Sequence, residues 1–376
     1  MMSVSTSKRF GLVAPSTLDD GARLAEAETL LAAAWSSALR GKAPGQSRPY
    51  SALGINGNRA LDILRYLWLE AELEPHINIF IEAPTIQAMA ARIADRSEFE
   101  AQSILPMGGA ETAPGLFLFA GGGGFLHEMA ELARAFEISA MVHGVTVSGT
   151  DGCGAVPATH QAEAARAAVL IRQTKPAGPY NVAGYSLGGC TALETARILR
   201  RDGHDVYLML LDSGLNDHCW PVSIWLRYLA PHLAKRVAGR LRRKPRPAND
   251  EAARPPLPQL AAPQRGTMFE FRFRNPSHPD YPLYSPHWQS FHPPHYTKMR
   301  ARAMVMHGLY RPEPYDGPVT FFVSRGGDQA SCSPRDIWPK YLPNAEWLEV
   351  SGNHTSMIMG RHARHLAGEM AKRLWK

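Results

Sequence analysis

The chain has 376 residues, 45% apolar and 20% charged, which is enough for a sizeable core and for two domains of ordinary size. Its formal net charge is +7, yet much of the basic excess sits in one short run, Lys235, Arg236, Arg240, Arg242, Arg243, Lys244 and Arg246, with no nucleic-acid module beside it. Cys153, Cys190, Cys219 and Cys332 show neither a CxxC pair nor zinc-ligand spacing, no apolar run reaches the length of a membrane span, and residues 1–9 lack the apolar core of a secretory signal. A disulfide scaffold, a local zinc motif and a membrane span are thus excluded, and the expected location is the cytoplasm.

Residues 1–21 are polar and mixed, and are expected to form a flexible N-terminus. From 22 to about 96 the pattern is helical. Leu24, Leu30, Leu31, Ala34 and Trp35 lie at helical spacing, a Gly- and Pro-containing loop spans 41–57, and Ile63, Leu64, Leu67 and Trp68 mark a second helix over 58–71. Pro84 and Thr85 open a last helix over 86–93. These segments predict a small helical bundle. Residues 97–114, with Pro106, Gly108, Gly109 and Pro114, read as a linker.

From 115 to 376 the texture changes. Short apolar runs at 116–119, 180–183, 206–211 and 319–323 alternate with helical stretches at 162–173 and 190–201, which predicts a parallel sheet with helical crossovers. Between 215 and about 300 that alternation stops. The basic run, a Pro-rich stretch, and aromatics such as Trp220, Trp225, Phe269, Phe271, Phe273 and Trp288 fill the interval, which predicts an insertion covering the site.

The chemistry is carried by Gly184-Tyr185-Ser186-Leu187-Gly188, a G-x-S-x-G motif between an apolar strand and a helix. Glycines permit the sharp turn that lifts a serine hydroxyl above the sheet. Such a serine needs a histidine base and an acid, in the chain order Ser, acid, His. His354 follows a strand-like segment near the C-terminus and is the candidate base. The histidines at 278, 287, 292 and 295 fall in the insertion, and those at 362 and 365 on the final helix. Asp212 and Asp328 both follow strands, and spacing alone leaves the choice of acid open. The N–H of Leu187 and one from the glycine run that includes Gly121 and Gly122 are the expected oxyanion donors.

These motifs, together with Phe119-Ala120-Gly121-Gly122-Gly123, Leu210-Leu211-Asp212-Ser213 and Gly352-Asn353-His354-Thr355-Ser356-Met357, resemble the type I thioesterase domains of nonribosomal peptide and polyketide synthases. The resemblance spans residues 114–376. It implies an α/β-hydrolase fold with a helical lid insertion over 215–300, and a triad of Ser186, Asp212 and His354. It further implies an acyl or peptidyl substrate delivered as a phosphopantetheine thioester, by a carrier protein of a synthase or by coenzyme A. Neither a metal nor an enzyme-bound cofactor is implied. Tyr50-Ser51-Ala52-Leu53-Gly54-Ile55-Asn56-Gly57 and Ile79-Phe80-Ile81-Glu82-Ala83-Pro84-Thr85-Ile86 resemble a peptidyl or acyl carrier domain, with Gly57 where the phosphopantetheine serine stands. Glycine has no hydroxyl to esterify, so a carrier-like domain here is expected to be unable to carry. Three functions follow: a releasing thioesterase, an acyltransferase or cyclase that passes the chain to an amine or alcohol, and a non-catalytic docking partner of a synthase.

Overall fold

A computed structural model describes residues 20–41, 43–53, 57–76, 78–95, 104–122, 124–146, 159–224, 226–227, 306–327 and 332–375, with Tyr296, Met299 and Ala303. Asp328, Gly123, Cys153, the basic run at 235–246 and most of the expected lid lie outside the described residues.

The N-terminal region is helical: α1 (Asp20–Leu39), α2 (Gly57–Ala71), the single turn α3 (Ile79–Glu82) and α4 (Ile86–Ala94). Most of the apolar stripe read from the sequence is the buried face of α1, where Leu30, Leu31, Ala34 and Trp35 are fully enclosed, but Leu24, in its first turns, is 36% exposed. The hydroxyl oxygen of Thr85 accepts the N–H of Ala88 at 3.0 Å and caps α4, a contribution of about 1 kcal/mol. Gly57, at the position expected for a carrier's serine, opens α2.

Among the remaining described residues is a seven-stranded sheet with strands β1 (Ile104–Gly108), β2 (Gly115–Phe119), β3 (Met141–Val145), β4 (Tyr180–Tyr185), β5 (Val206–Leu211), β6 (Val319–Ser324) and β7 (Glu346–Val350). The spatial order is β1-β3-β2-β4-β5-β6-β7. Only β1 runs antiparallel to its neighbour. Part of the expected linker is therefore the edge of the sheet. Pro106 and two glycines disguise the strand, and an edge position with an exposed Pro106 tolerates the missing donor. β3 also escaped the sequence reading, because Met141-Val-His-Gly-Val is too mixed to read as an apolar run.

Helices α5 (Ala130–Ala135), α6 (His160–Thr174), α7 (Gly188–Arg201) and α8 (Gly360–Ala371) cover the sheet. Side chains alternate along the strands, as a period of two requires. Phe117, Val182, Leu208, Leu210 and Phe321 face a core shared with α6 and α7. Leu116, Leu118, Ala183, Met209, Leu211 and Phe322 face one shared with α5 and α8. Trp220, from the start of the expected lid, is 6% exposed and belongs to the α6–α7 core, with its indole N–H on the Leu215 carbonyl at 2.8 Å. β4 lies at the centre of the sheet, so the turn that follows it is held by strands on both sides.

Candidate active site

Ser186 follows β4 with φ at +52°, and Asp212 follows β5 with φ at +47°. Both are left-handed non-glycine residues, an arrangement costing on the order of 1–3 kcal/mol each and persisting only where the surroundings impose it. The surroundings here are backbone hydrogen bonds and tight packing. Ser186 N–H donates to Leu211 O at 3.0 Å, and Asp212 N–H to Phe322 O at 2.8 Å. The turn into α7 also needs its glycines, since a Cβ on Gly188 would stand 2.1 Å from the Ala120 carbonyl oxygen, and one on Gly184 2.5 Å from Gly189 Cα.

His354 lies beyond β7 and reaches both acidic and nucleophilic partners. Its Nε2 is 3.0 Å from Ser186 Oγ and its Nδ1 2.9 Å from Asp212 Oδ2. Of the two acids that spacing left open, Asp212 thus has the histidine in hand. Asp212 is 3% exposed, and it also accepts from the Ser324 hydroxyl at 2.7 Å (Oδ2) and the Ser324 N–H at 3.2 Å (Oδ1). Tyr185 stacks on the imidazole, centroids 5.1 Å apart at 23°, and its hydroxyl donates to the His354 carbonyl at 2.7 Å. Sequence reasoning missed Ser324 and Tyr185 as supports. The one signal available was position: each sits at the end of a strand, where this sheet presents its chemistry. His362 and His365 lie on α8, and His362 pairs with Ser351 Oγ at 2.8 Å, away from the serine.

The glycine run after β2 folds against the serine. A Cβ on Gly121 would be 3.3 Å from Ser186 Cβ, and one on Gly122 2.5 Å from Leu187 Cδ1. The N-terminus of the 14-residue helix α7 begins beside them and favours developing negative charge. A cleft opens over this turn, walled by Phe119, Val145, Leu187, Met299, Ala303 and Met306, with His160, Glu163 and Thr191 at one side.

A cluster that local spacing could not reveal lies alongside. His160, Cys190 and His307, from α6, α7 and the segment before β6, bring ring nitrogens and sulfur within 4.8 Å of one another. His160 Nδ1 pairs with Thr191 Oγ1 at 2.8 Å, and His307 Nδ1 lies 3.9 Å from Cys190 Sγ. Burial pushes both imidazoles down, His307 to about 4, and holds the Cys190 thiol well above its usual range. Cys190 therefore stays protonated and is no rival to the serine four residues earlier.

A hydroxyl on a strained strand–helix turn, a histidine in reach of it, and a buried carboxylate behind the histidine, on a mostly parallel sheet flanked by helices, define the arrangement of an α/β serine hydrolase. In keeping with this, residues 114–216 match the model of the thioesterase domain. Among curated proteins it is similar to enterobactin synthase component F of Escherichia coli (strain K12), 26% identical over 89% of this chain and 23% of that protein. It is also similar to indigoidine synthase of Streptomyces lavendulae, 29% identical over 50% of this chain and 15% of that protein. The chain spans less than a quarter of the length of either relative. Among solved structures, a four-domain nonribosomal peptide synthetase bound to AMP and glycine superposes with a TM-score of 0.55 at 17% identity, covering 95% of this chain and 27% of that one, a likeness of fold. Among the described residues, no helix is long and apolar enough to cross a membrane.

Proposed function

We propose that the protein is a thioesterase of natural-product biosynthesis that releases an acyl or peptidyl chain through an ester on Ser186. The observation that carries this reading is the hydrogen-bonded series Ser186–His354–Asp212, with steps of 3.0 and 2.9 Å, two of whose members lie in the region that matches the thioesterase model. Ser186 Oγ attacks the thioester carbonyl while His354 Nε2 takes its proton. Asp212 holds Nδ1–H and stabilises the imidazolium. The oxyanion receives the N–H of Leu187 and one from Gly121 or Gly122. The C–S bond then breaks, and the departing thiolate takes the proton from His354. Water, deprotonated by the same nitrogen, attacks the acyl-serine; the acyl C–Oγ bond breaks, His354 returns the proton to Ser186 Oγ, and a free acid leaves.

The substrate class is an acyl phosphopantetheine thioester. Gly57 offers no hydroxyl for that arm, so the thioester is presented by a carrier other than this segment or by coenzyme A. The test combines a fluorophosphonate probe with a panel of acyl-N-acetylcysteamine thioesters. Labelling and turnover that both disappear in Ser186→Ala support the reading. A folded wild-type protein that neither labels nor turns over, even with acyl-loaded carriers added, overturns it. A conjugate instead of a free acid, when amines or alcohols are supplied, would move the final step from hydrolysis to acyl transfer.

A further inference from the structure

The N-terminal helices do not stand apart from the hydrolase. Their core takes in Phe125, from the loop that follows the glycine run, together with Tyr296 and Met299. Tyr50 and Phe80 stack with centroids 4.6 Å apart, and both rings meet His127, at 5.7 and 6.1 Å. Phe125 lies edge-on to His127 at 3.6 Å and to Tyr296 at 6.2 Å. At the centre of this junction is Asn78, fully buried, whose Oδ1 accepts the N–H of Leu126 at 3.1 Å. Asn78 is itself fixed: its N–H donates to His76 Nδ1 at 3.1 Å, and its carbonyl accepts from Ile81 at 2.8 Å and Glu82 at 3.2 Å.

From Leu126 a short relay leads to the serine. The Leu126 N–H is shared with the Gly124 carbonyl at 3.0 Å, and Gly124 N–H donates to Gly121 O at 3.0 Å. Gly121 lies against Ser186. A run of glycines has no side chains to anchor it, and glycine has the widest conformational freedom of any residue. Its position must be set from its ends. One end is Phe119 in β2, and the other is Leu126, held from the helical domain. Without Asn78, the Leu126 N–H keeps only a carbonyl two residues back, a tight and poorly directed bond.

We infer that the N-terminal helical domain is a strut for the oxyanion turn, with Asn78 as the positioning residue that, through Leu126 and Gly124, sets Gly121 against Ser186. This rests on the thioesterase reading for its catalytic consequence, but the mechanical link stands on geometry alone. It gives a domain with glycine at position 57 a task that needs no phosphopantetheine. Misplacing a donor by about 1 Å costs on the order of 100-fold in rate, and losing an oxyanion donor 100- to 1000-fold.

The experiment uses the full chain. In Asn78→Ala, kcat for an acyl-N-acetylcysteamine thioester should fall at least tenfold while KM stays within about twofold. Amide exchange at 124–126 should quicken at least tenfold, with α7 and β5 unchanged. Unchanged exchange at 124–126, or faster exchange with unaltered kcat, would overturn the inference. Should that variant not fold, native-state exchange of the unaltered chain in sub-denaturing urea decides. Protection at Gly124 and Leu126 should be lost together with α1 and α4, below the urea concentration that opens β4 and β5. Protection that outlasts α1 and α4 would show that the turn holds itself. If the wild type has no turnover, the thioesterase reading fails while the exchange measurements still report on the strut.

Discussion

Ser324 and His354 share one oxygen of Asp212: the Ser324 hydroxyl donates to Oδ2 at 2.7 Å, and His354 Nδ1 reaches the same atom at 2.9 Å. The serine at the end of β6 thereby fixes the carboxylate that in turn fixes the imidazole. Ser324→Ala should leave the fold intact, because the Ser324 N–H still reaches Oδ1. The expected cost is roughly tenfold in kcat, the size of one hydrogen bond to a charged group. Steady-state hydrolysis of an acyl-N-acetylcysteamine thioester measures it, and a rate equal to wild type would show that Asp212 needs no such brace.

The left-handed backbone at Ser186 predicts a divergence of stability from activity. Glycine accepts φ of +52° without steric cost, whereas alanine and serine do not. Ser186→Gly should therefore be inactive yet more stable than Ser186→Ala by about 1 kcal/mol, or a few degrees in Tm. Calorimetry on the pair gives the answer, and equal midpoints would mean the turn carries no strain.

Two glycines near the serine should respond differently to a methyl group. At Gly188 the added carbon meets the Ala120 carbonyl oxygen at 2.1 Å, which is backbone and cannot yield without parting α7 from the loop after β2. At Gly122 it meets the tip of the Leu187 side chain at 2.5 Å, which can rotate away. Gly188→Ala should be expressed poorly or melt well below wild type. Gly122→Ala should fold with little change in Tm and lose activity chiefly through a shifted Leu187. Thermal melts of the two proteins test this directly, and matching melts would refute the steric argument.

Acid should destabilise the fold through its buried imidazoles. Burial holds His127, His160 and His307 neutral, the last down to about 4 from an ordinary 6.5. As pH falls below 6.5, the unfolded chain gains protons that the folded chain refuses, so stability is present above 6.5 and is lost towards pH 4. His307 alone accounts for about 3 kcal/mol across that window. Urea midpoints at pH 7.5, 5.5 and 4.5 should fall steadily, with a shallower slope in His307→Gln. A flat profile would contradict the burial.

Much of this site was legible because its chemistry is local. The G-x-S-x-G motif names Ser186 and its turn, and the loop after the last strand presents His354. Asp212 and Asp328 are equivalent by spacing; the family resemblance points to Asp212, and the hydrogen bond to His354 agrees with it. Ser324, Tyr185 and Asn78 were invisible because their partners lie 112, 169 and 48 residues away in sequence. β1 was hidden by Pro106, a residue that argues against a central strand but not against an edge. Most of the expected lid, with its basic run, lies outside the described residues; its Trp220 end is absorbed by the α6–α7 core, and Tyr296 and Met299 join the core of the N-terminal helices.

Ser186, Asp212 and His354 come from the ends of β4 and β5 and from the loop beyond β7, and Asp212 and His354 are separated by 142 positions. During synthesis the serine emerges long before its base. On the proposed mechanism, the hydroxyl is an ordinary alcohol until β7 pairs with β6 and His354 reaches it. Turnover thus reports completion: a nascent or clipped chain lacking the last strand should be silent, and the first released acid should mark the moment the sheet closes.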